Sequence, residues 1–248
     1  MLDLLFRKLE RYGPVSNEEK RFLEQAPWRV VEYSPQEPVV REGDSPTESC
    51  LVLEGFAYRF KSLSGGTRQV LAFHIPGDIC DLHGFLLTRM DHGISASGPC
   101  KIARLPHKAL KEASDRFPRL TRALWWDTAL DAAILREWIV SMGRRNAYEK
   151  IAHLLCELLL RFRAVGLSDD DTYPLPATQE QLGDAFGLST VHVNRTLQKL
   201  REEGLITFKD KCVAILNPER LKEVAGFDPV YLTQTDQPQD SQGLRISN

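Results

Sequence analysis

Residues 178–208 read TQEQLGDAFGLSTVHVNRTLQKLREEGLITF, and the order of residue types in this stretch decides the fold around it. Apolar residues recur at steps of three and four on both sides of Gly187, as they do on the buried face of a helix. Ser189 is a residue type that caps a helix start, because its hydroxyl accepts an otherwise unpaired backbone N–H. The stretch therefore predicts two short helices joined by a glycine turn, with Gly183 where they approach too closely for a larger side chain.

The second helix is predicted to begin after Ser189 and to end at Gly204, and two short strands follow it. The strands are LITF and CVAIL, on either side of the turn-prone residues 209–211. A helix-turn-helix with such a hairpin, or wing, commonly places the start of its second helix in the major groove of DNA. The pattern indicates double-stranded DNA as the partner. A helical hairpin that binds another protein is the alternative.

Net charge gives no direct support for nucleic-acid binding. The chain has 32 Lys and Arg against 34 Asp and Glu, a formal charge of −2. The argument rests instead on the basic residues of the second helix and the wing, which are His192, Arg195, Lys199, Arg201, Lys209 and Lys211. Phosphate contacts from such residues would make DNA binding depend on salt.

Composition predicts a cytoplasmic, globular protein with no membrane partner. The 248 residues are 42% hydrophobic and 27% charged, which is enough for two modest domains. No apolar run approaches the roughly 18 to 20 residues of a membrane span, and the opening MLDLLFRKLERYG lacks a secretory-signal pattern. Five scattered cysteines without a CxxC pair suit reduced thiols. No catalytic motif is present, so enzymatic activity is not expected.

The N-terminal part is predicted to be a small antiparallel β-domain behind one or two amphipathic helices. Residues 4–9 and 16–25 have helical spacing, and Ser16 with Glu19 matches a capping box. From residue 30 to 106, short alternating runs are separated by glycine and proline turn signals. A small barrel of this kind can hold one small ligand in its interior.

A long helical segment over residues 109–143, interrupted only at Pro118, follows the β-domain. Residues at steps of three and four along it resemble a coiled-coil seam, and they are Leu120, Leu124, Thr128, Asp131, Leu135, Trp138 and Met142. A single helix of this length needs a partner to cover the seam, although Trp125 and Trp126 suit packing on the β-domain. Residues 143–146 are a hinge candidate, and the next helix should pack under the helix-turn-helix.

Residues 187–206, GLSTVHVNRTLQKLREEGLI, resemble the recognition helix and wing entry of the Crp/Fnr family of bacterial transcription regulators. The segments VVREGDSPTESCLVLEGFAYRF and GGTRQVLAFHIPGDICDL resemble the β-roll of that family's cyclic-nucleotide-binding-like domain. The resemblance implies an α+β fold with an N-terminal antiparallel β-roll, a long dimerisation helix and a C-terminal winged helix-turn-helix. It also implies a homodimer, a pseudo-palindromic operator, and RNA polymerase as a partner.

These observations divide the chain into four parts. Residues 1–108 are expected to form the sensor domain with its N-terminal helices, and residues 109–143 the dimerisation helix and hinge. Residues 144–226 are expected to form the winged helix-turn-helix, and the polar residues 227–248 a disordered tail.

The resemblance also implies which residues contact DNA, and these are Thr178, Gln179, Ser189, Thr190, Val191, His192, Asn194, Arg195 and Lys199. Arg195 is expected to bind a guanine with two hydrogen bonds. Val191 stands where many members of the family carry a glutamate, so it can touch only a thymine methyl and the half-site should differ. Thr178, Gln179 and Ser189 are expected to contact phosphates.

Control by cyclic AMP is not expected. Members that bind it use an acidic residue in a Gly-Glu-Leu-like turn and an Arg-Ser pair that holds the cyclic phosphate. This chain has residues 77–80, GDIC, at the turn and residues 91–95, DHGIS, in place of the pair. The phosphate would lose its bidentate partner, and Asp91 would repel it.

The effector pocket expected from this comparison consists of Asp78, Ile79, Cys80, His92 and Ser95. Its occupant stays open between an unknown small effector and no ligand at all.

No metal site and no resident cofactor are predicted. The oxygen sensors of the family carry a cysteine cluster for an iron–sulfur centre near the N-terminus, whereas no cysteine precedes Cys50 here. The histidines form neither a helical pair nor a compact ligand set with cysteine. Cys80 and His83 stay open as haem- or redox-sensing candidates, although Asp78 and Asp81 should disfavour a reactive Cys80 thiolate.

Overall fold

The computed structural model describes residues 1–233. Two helices, α1 (Asp3–Glu10) and α2 (Asn17–Gln25), open the chain. The capping box predicted for α2 is confirmed, because the Glu19 backbone N–H donates to Ser16 Oγ at 3.2 Å and the Ser16 backbone N–H donates to Glu19 Oε2 at 2.7 Å. Glu19 also accepts from the Leu120 backbone N–H at 3.2 Å, which ties α2 to the start of the long helix.

Seven antiparallel strands then form the β-roll, which confirms the predicted fold of this part of the chain. They are β1 (Arg29–Tyr33), β2 (Pro38–Val40), β3 (Glu48–Glu54), β4 (Ala57–Ser62), β5 (Arg68–His74), β6 (Gly93–Ala96) and β7 (Cys100–Pro106). One sheet has the order β1-β7-β3, and the other has the order β2-β6-β4-β5. A short 3₁₀ helix, Leu82–Leu86, connects β5 to β6. Apolar side chains from both sheets pack between them.

The long helical segment is two helices, α3 (His107–Arg116) and α4 (Pro118–Arg144). The interruption falls at Pro118 as predicted. Proline is tolerated at the first position of a helix because the N–H that it lacks would have no partner there. None of the helices described between residues 1 and 233 is both long and apolar enough to cross a membrane.

The seam predicted along α4 is partly wrong. Leu120, Leu124 and Trp138 are buried within their own chain. Asp131, an unusual residue for a seam, pairs with Arg59 of β4 at 2.8 Å. The predicted seam therefore packs within its own chain over much of its length, with Leu120 and Leu124 against α3 and the N-terminal helices and Trp138 against Phe73 of β5.

The apolar face that α4 leaves exposed is rotated away from the predicted one. It carries Trp125, Leu135, Ile139 and Met142. The suggestion that Trp125 packs on the β-roll is wrong, since 75% of this residue is exposed. Trp126 does pack inward, with its ring 6.2 Å from that of Tyr12.

The C-terminal part is a winged helix-turn-helix, as predicted. Its elements are α5 (Ala147–Ala164), β8 (Thr172–Pro174), α6 (Gln179–Phe186), α7 (Thr190–Glu202), β9 (Ile206–Lys209), β10 (Cys212–Ile215), α8 (Pro218–Ala225) and α9 (Val230–Thr233). Its antiparallel sheet has the order β8-β10-β9. Helix α5 supplies the centre of the core and packs against α7 and α8, with Leu154, Leu158 and Phe162 buried along it.

The disordered tail predicted from residue 227 is wrong for its first part. Phe227 and Leu232 are buried, and the Tyr231 hydroxyl donates to Glu157 Oε2 at 3.0 Å. Phe227 and Tyr231 are four residues apart, so both can reach α5 although the surrounding sequence is polar. Residues 234–248, the rest of the predicted tail, lie outside the described residues.

One apolar cluster joins the β-roll to the winged domain. Phe56 contacts Phe162 of α5, and Phe73 packs edge-on against Trp138 at 5.8 Å between ring centroids. Polar contacts reinforce this packing, because Arg68 Nε lies 2.9 Å from Asp184 Oδ2 on α6. The β-roll therefore holds the first helix of the helix-turn-helix directly.

Candidate nucleic-acid interface and sensor pocket

Helix α7 has one buried face and one exposed face. Val193, Leu197 and Leu200 are buried in the core. All the residues of this helix that are predicted to contact DNA are exposed, and they lie in its first three turns. They are Thr190, Val191, His192, Asn194, Arg195 and Lys199. Since apolar Val191 is 59% exposed, nothing in its own domain covers it. The start of α7 therefore presents a continuous surface to a partner.

Local backbone chemistry sets the angle between α6 and α7. Gly187 ends α6 in the left-handed conformation with φ of 66°, and the Ser189 hydroxyl accepts the His192 backbone N–H at 3.2 Å, which confirms the predicted cap. A Cβ atom on Gly183 would lie 2.4 Å from the Leu188 carbonyl oxygen. The predicted close approach at Gly183 is therefore confirmed as well.

The three residues expected at phosphates lie at the starts of the two helices. Thr178 caps α6 by accepting the Gln181 backbone N–H at 3.1 Å, as Ser189 caps α7. Gln179 Oε1 accepts from Asn194 Nδ2 at 3.4 Å, which links the two helices. Helix starts carry partial positive charge and outward N–H groups, so both favour an anion.

Sequence reasoning missed the start of α5, which lies beside α7. Asn146, Ala147 and Tyr148 share with α7 an open groove of about 530 Å³. The Tyr148 hydroxyl donates to Glu203, and Lys199 Nζ lies 4.6 Å from the centre of the Tyr148 ring. The available signal was the sequence NAYE at residues 146–149, whose capping box forms in the structure.

The wing follows α7 as a tight hairpin of β9 and β10. Asp210 and Lys211 both have positive φ, 52° and 60°, as a two-residue turn of this type requires. Lys209 and Lys211 are exposed at its tip. The wing therefore carries two exposed cations at its tip.

In the sensor domain, Asp78 is already paired within the protein. Its carboxylate oxygens lie 2.6 Å from Lys8 Nζ of α1 and 2.6 Å from an Arg161 nitrogen of α5. Burial alone would raise the pKa of Asp78, but the charges of Lys8 and Arg161 outweigh it and hold the pKa well below its usual range. The Asp78 carboxylate therefore links the turn after β5 to both α1 and α5.

The structure does not bring the five expected effector residues together. Asp78 and Ile79 line a small cavity, whereas Ser95 is buried within β6 and the Cys80 side chain lies in the apolar core between the sheets. His92 is buried beside Asp91 and His83. Of the five residues, Asp78 and Ile79 line this cavity, and Cys80, His92 and Ser95 do not.

The cavity at Asp78 has a volume of about 30 Å³. Drug-sized ligands and cofactors occupy sites of about 300–1,000 Å³. Charged side chains fill the space, namely Lys8, Asp78, Asp127, Asp131 and Arg161. In this conformation it has no room for a cyclic nucleotide.

Cys80 does not have the environment of a reactive thiol. Burial raises its pKa well above the usual value, and the charge of Asp81 adds to that rise, in the direction predicted from the sequence. All five cysteines are unpaired.

Two histidines of the sensor domain, His83 and His92, lie close to each other and to Asp91. Within residues 1–233, His83, Asp91 and His92 each offer a ligand atom, and these atoms lie within 4.8 Å of one another. This set contains an aspartate and no cysteine, so the prediction made for sets with cysteine does not cover it. The eight residues between His83 and His92 return the chain on itself, so sequence spacing did not indicate their proximity.

Comparison with known proteins matches both halves of the chain. The family model of the cyclic nucleotide-binding domain matches residues 30–117, and that of the Crp-like helix-turn-helix domain matches residues 149–224.

Whole-chain similarities agree with these matches. The chain is 31% identical over 198 residues to the nitrogen fixation regulation protein FixK of Bradyrhizobium diazoefficiens, covering 79% of this chain and 82% of FixK. It is 30% identical over 217 residues to the transcriptional activatory protein AadR of Rhodopseudomonas palustris, covering 86% of each. The solved structure of FixK2 from Bradyrhizobium japonicum matches with a TM-score of 0.72 at 25% identity, covering 81% of this chain and 98% of FixK2.

Proposed function

The chain belongs to the Crp/Fnr family of DNA-binding transcription regulators, and from this premise we propose that it acts as a homodimer on a pseudo-palindromic operator without control by cyclic AMP. It is a regulator and not an enzyme. The observation that carries the proposal is the exposed start of α7 in a helix-turn-helix that a wing follows. Residues there have no packing role, so their side chains are available for base edges.

We assign the contacts by chemistry. The Arg195 guanidinium has the fork geometry that binds guanine O6 and N7, and Val191 suits a thymine methyl. Thr178, Gln179 and Ser189 lie at helix starts where phosphates bind. His192, Asn194 and Lys199 extend the same surface, and the groove at Tyr148 widens it to the start of α5.

Dimerisation is proposed through the exposed apolar face of α4. Trp125, Leu135, Ile139 and Met142 follow one side of a helix of 27 residues. A continuous apolar stripe of this length is costly in water and typical of a helix that pairs. Two copies would place two α7 helices about one helical turn of DNA apart.

Independence from cyclic AMP follows from the sensor's chemistry. Asp78 is neutralised by Lys8 and Arg161, and Asp91 stands where an arginine would hold the phosphate. RNA polymerase is the partner expected at promoters, and the cytoplasm is the expected compartment. These two proposals rest on the family alone.

Selection of bound sites from a random DNA library tests the proposal. We expect purified, effector-free protein to enrich an inverted repeat with a guanine in each half-site. The Arg195→Ala variant should bind the selected site about 1–3 kcal/mol more weakly and should lose its preference for that guanine. Binding should also weaken steeply as salt is raised.

Arg201→Ala is the matched control, since Arg201 is an exposed arginine near the end of the same helix. It removes the same charge farther from the base edges, so the base preference should persist. Equal base preference in the parent and in Arg195→Ala would contradict the assignment of Arg195. Failure of folded protein to enrich any sequence would contradict effector-free operator binding.

A further inference from the structure

The loop around the 3₁₀ helix of the sensor domain brings three potential metal ligands together. His83 lies in that helix, and Asp91 and His92 directly precede β6. One ligand atom from each lies within 4.8 Å of the other two, and the two imidazole rings are 5.1 Å apart. Asp91 is exposed and His83 is half-buried, so an ion can enter from solvent.

The hydrogen bonding of His92 points to a ligand. Its Nδ1 lies 2.7 Å from Asp91 Oδ1, and its Nε2 is buried without a hydrogen-bond partner among residues 1–233. A carboxylate that holds one imidazole nitrogen and orients the other is the arrangement found around many metal-bound histidines. A buried nitrogen without a partner costs stability, and a metal bond would remove that cost.

We propose that His83 and His92 bind one divalent transition-metal ion in the sensor domain, with Asp91 holding His92 Nδ1 so that Nε2 is free to bind the ion. Imidazole nitrogens are preferred ligands of zinc and its neighbours, and two histidines leave coordination positions open for water. Bonds of about 2.0–2.1 Å need the two imidazole nitrogens somewhat closer than they lie now. Rotation of the half-buried His83 side chain supplies that movement.

The local charges permit a cation. A neutral imidazole is the form that binds a metal, and the buried surroundings of His92 favour that form. Arg59 is the nearby group that opposes a cation. Its guanidinium is already paired with Asp131 at 2.8 Å and donates to the Cys80 carbonyl at 2.5 Å, and Asp91 adds a further negative charge.

Titration of untagged, full-length, chelator-treated protein with Co²⁺ tests the site. Visible absorption bands of protein-bound Co²⁺ should saturate at one ion per chain, and Zn²⁺ should displace it. His83→Gln and His92→Gln should each weaken binding at least tenfold, and Asp91→Asn about 10- to 100-fold. His107→Gln, a histidine of the same domain bonded to Ser49 at 3.2 Å, is the control and should bind as the parent does.

Three results would overturn the site. They are the lack of saturable binding, binding that His83→Gln leaves unchanged, and a thiolate-to-cobalt charge-transfer band that would place the ion on cysteine. His83 is half-buried and is the safer substitution, so it decides the matter if His92→Gln does not fold. The titration uses no DNA, so its outcome is independent of the proposed operator binding.

Discussion

At the scale of single residues, Gly183 determines whether the two helices of the motif can meet. A Cβ atom there would lie 2.4 Å from the Leu188 carbonyl oxygen, and the Leu188 backbone N–H donates to the Gly183 carbonyl at 3.0 Å. The clash is with backbone that is itself hydrogen-bonded, so it cannot be relieved by rotating a side chain. Gly183→Ala should destabilise the protein by about 1–3 kcal/mol, measured by urea denaturation, and should weaken operator binding.

Gly143→Ala is the control for this substitution. Gly143 is also helical, and a Cβ atom there would meet nothing within 4 Å. Alanine should therefore stabilise the protein by about 0.5–1 kcal/mol, because glycine loses more backbone entropy in a helix. A Gly183→Ala protein as stable as the parent would show that the helices do not approach as described.

Residue roles were predictable where they depend on the neighbouring backbone. The caps at Ser16 and Ser189 and the tight turn at Gly187 each involve backbone groups only a few residues away. Residue type and spacing were therefore sufficient to predict them. Asp78 is different, because its partners Lys8 and Arg161 are 70 and 83 positions away along the chain. The turn sequence suggested an effector role for Asp78. It could not predict that Lys8 and Arg161 neutralise its carboxylate.

At the scale of elements, α4 shows that the spacing of apolar residues cannot predict which face of a helix is buried. The helix has two neighbouring apolar faces, one carrying Leu120, Leu124 and Trp138 and the other Trp125 and Ile139. Spacing of three and four residues fits both faces. Only the position of the β-roll decides which is covered, and Arg59 explains why Asp131 lies on the covered one.

Helix α5 carries a buried histidine that makes stability depend on pH. His153 packs against the rings of Phe227 and Tyr231, and burial, followed by the charge of Arg145, lowers its pKa from 6.5 to about 3. Glu137 Oε1 lies 3.4 Å from Nε2 but is paired with Arg145 at 2.6 Å, so it contributes little to a charged imidazole. Between these pKa values the unfolded chain binds a proton that the folded chain does not, so stability falls as pH decreases.

His153→Phe should remove this contribution. The free energy of unfolding, measured by urea denaturation from pH 4 to 8, should fall less steeply below pH 6 than in the parent, by about 1.4 kcal/mol per pH unit. Above pH 7 both proteins should have the same pH dependence, since His153 is neutral in both states there. If the free energy of unfolding falls equally steeply below pH 6 in the variant and in the parent, His153 takes up its proton in the folded protein as it does in the unfolded chain.

At the scale of the whole molecule, buried charges connect parts that are distant in sequence. Lys8 of α1 lies 2.6 Å from both Asp78 and Asp127, and Arg161 of α5 binds Asp78 from the other side. The N-terminal helix, β-roll, long helix and winged domain therefore meet at one polar cluster. The order of domains could be predicted from sequence because each domain carries local motifs, whereas this docking depends on long-range pairs that no motif records.

The exposed face of α4 gives the most direct test of assembly. Ile139 is 62% exposed near the end of the stripe, and pairing two copies would bury it. Ile139→Glu would place an unpaired charge from each chain in that interface, and an uncompensated buried charge costs about 3–5 kcal/mol. Sedimentation equilibrium should show dimerisation weakened at least about 100-fold, the equivalent of some 2.8 kcal/mol, while the far-ultraviolet circular dichroism spectrum at 25 °C stays that of the folded parent. Val30→Glu, on β1 and 46% exposed, should leave the dimer intact. If Ile139→Glu dimerises as the parent does, the interface lies on another face.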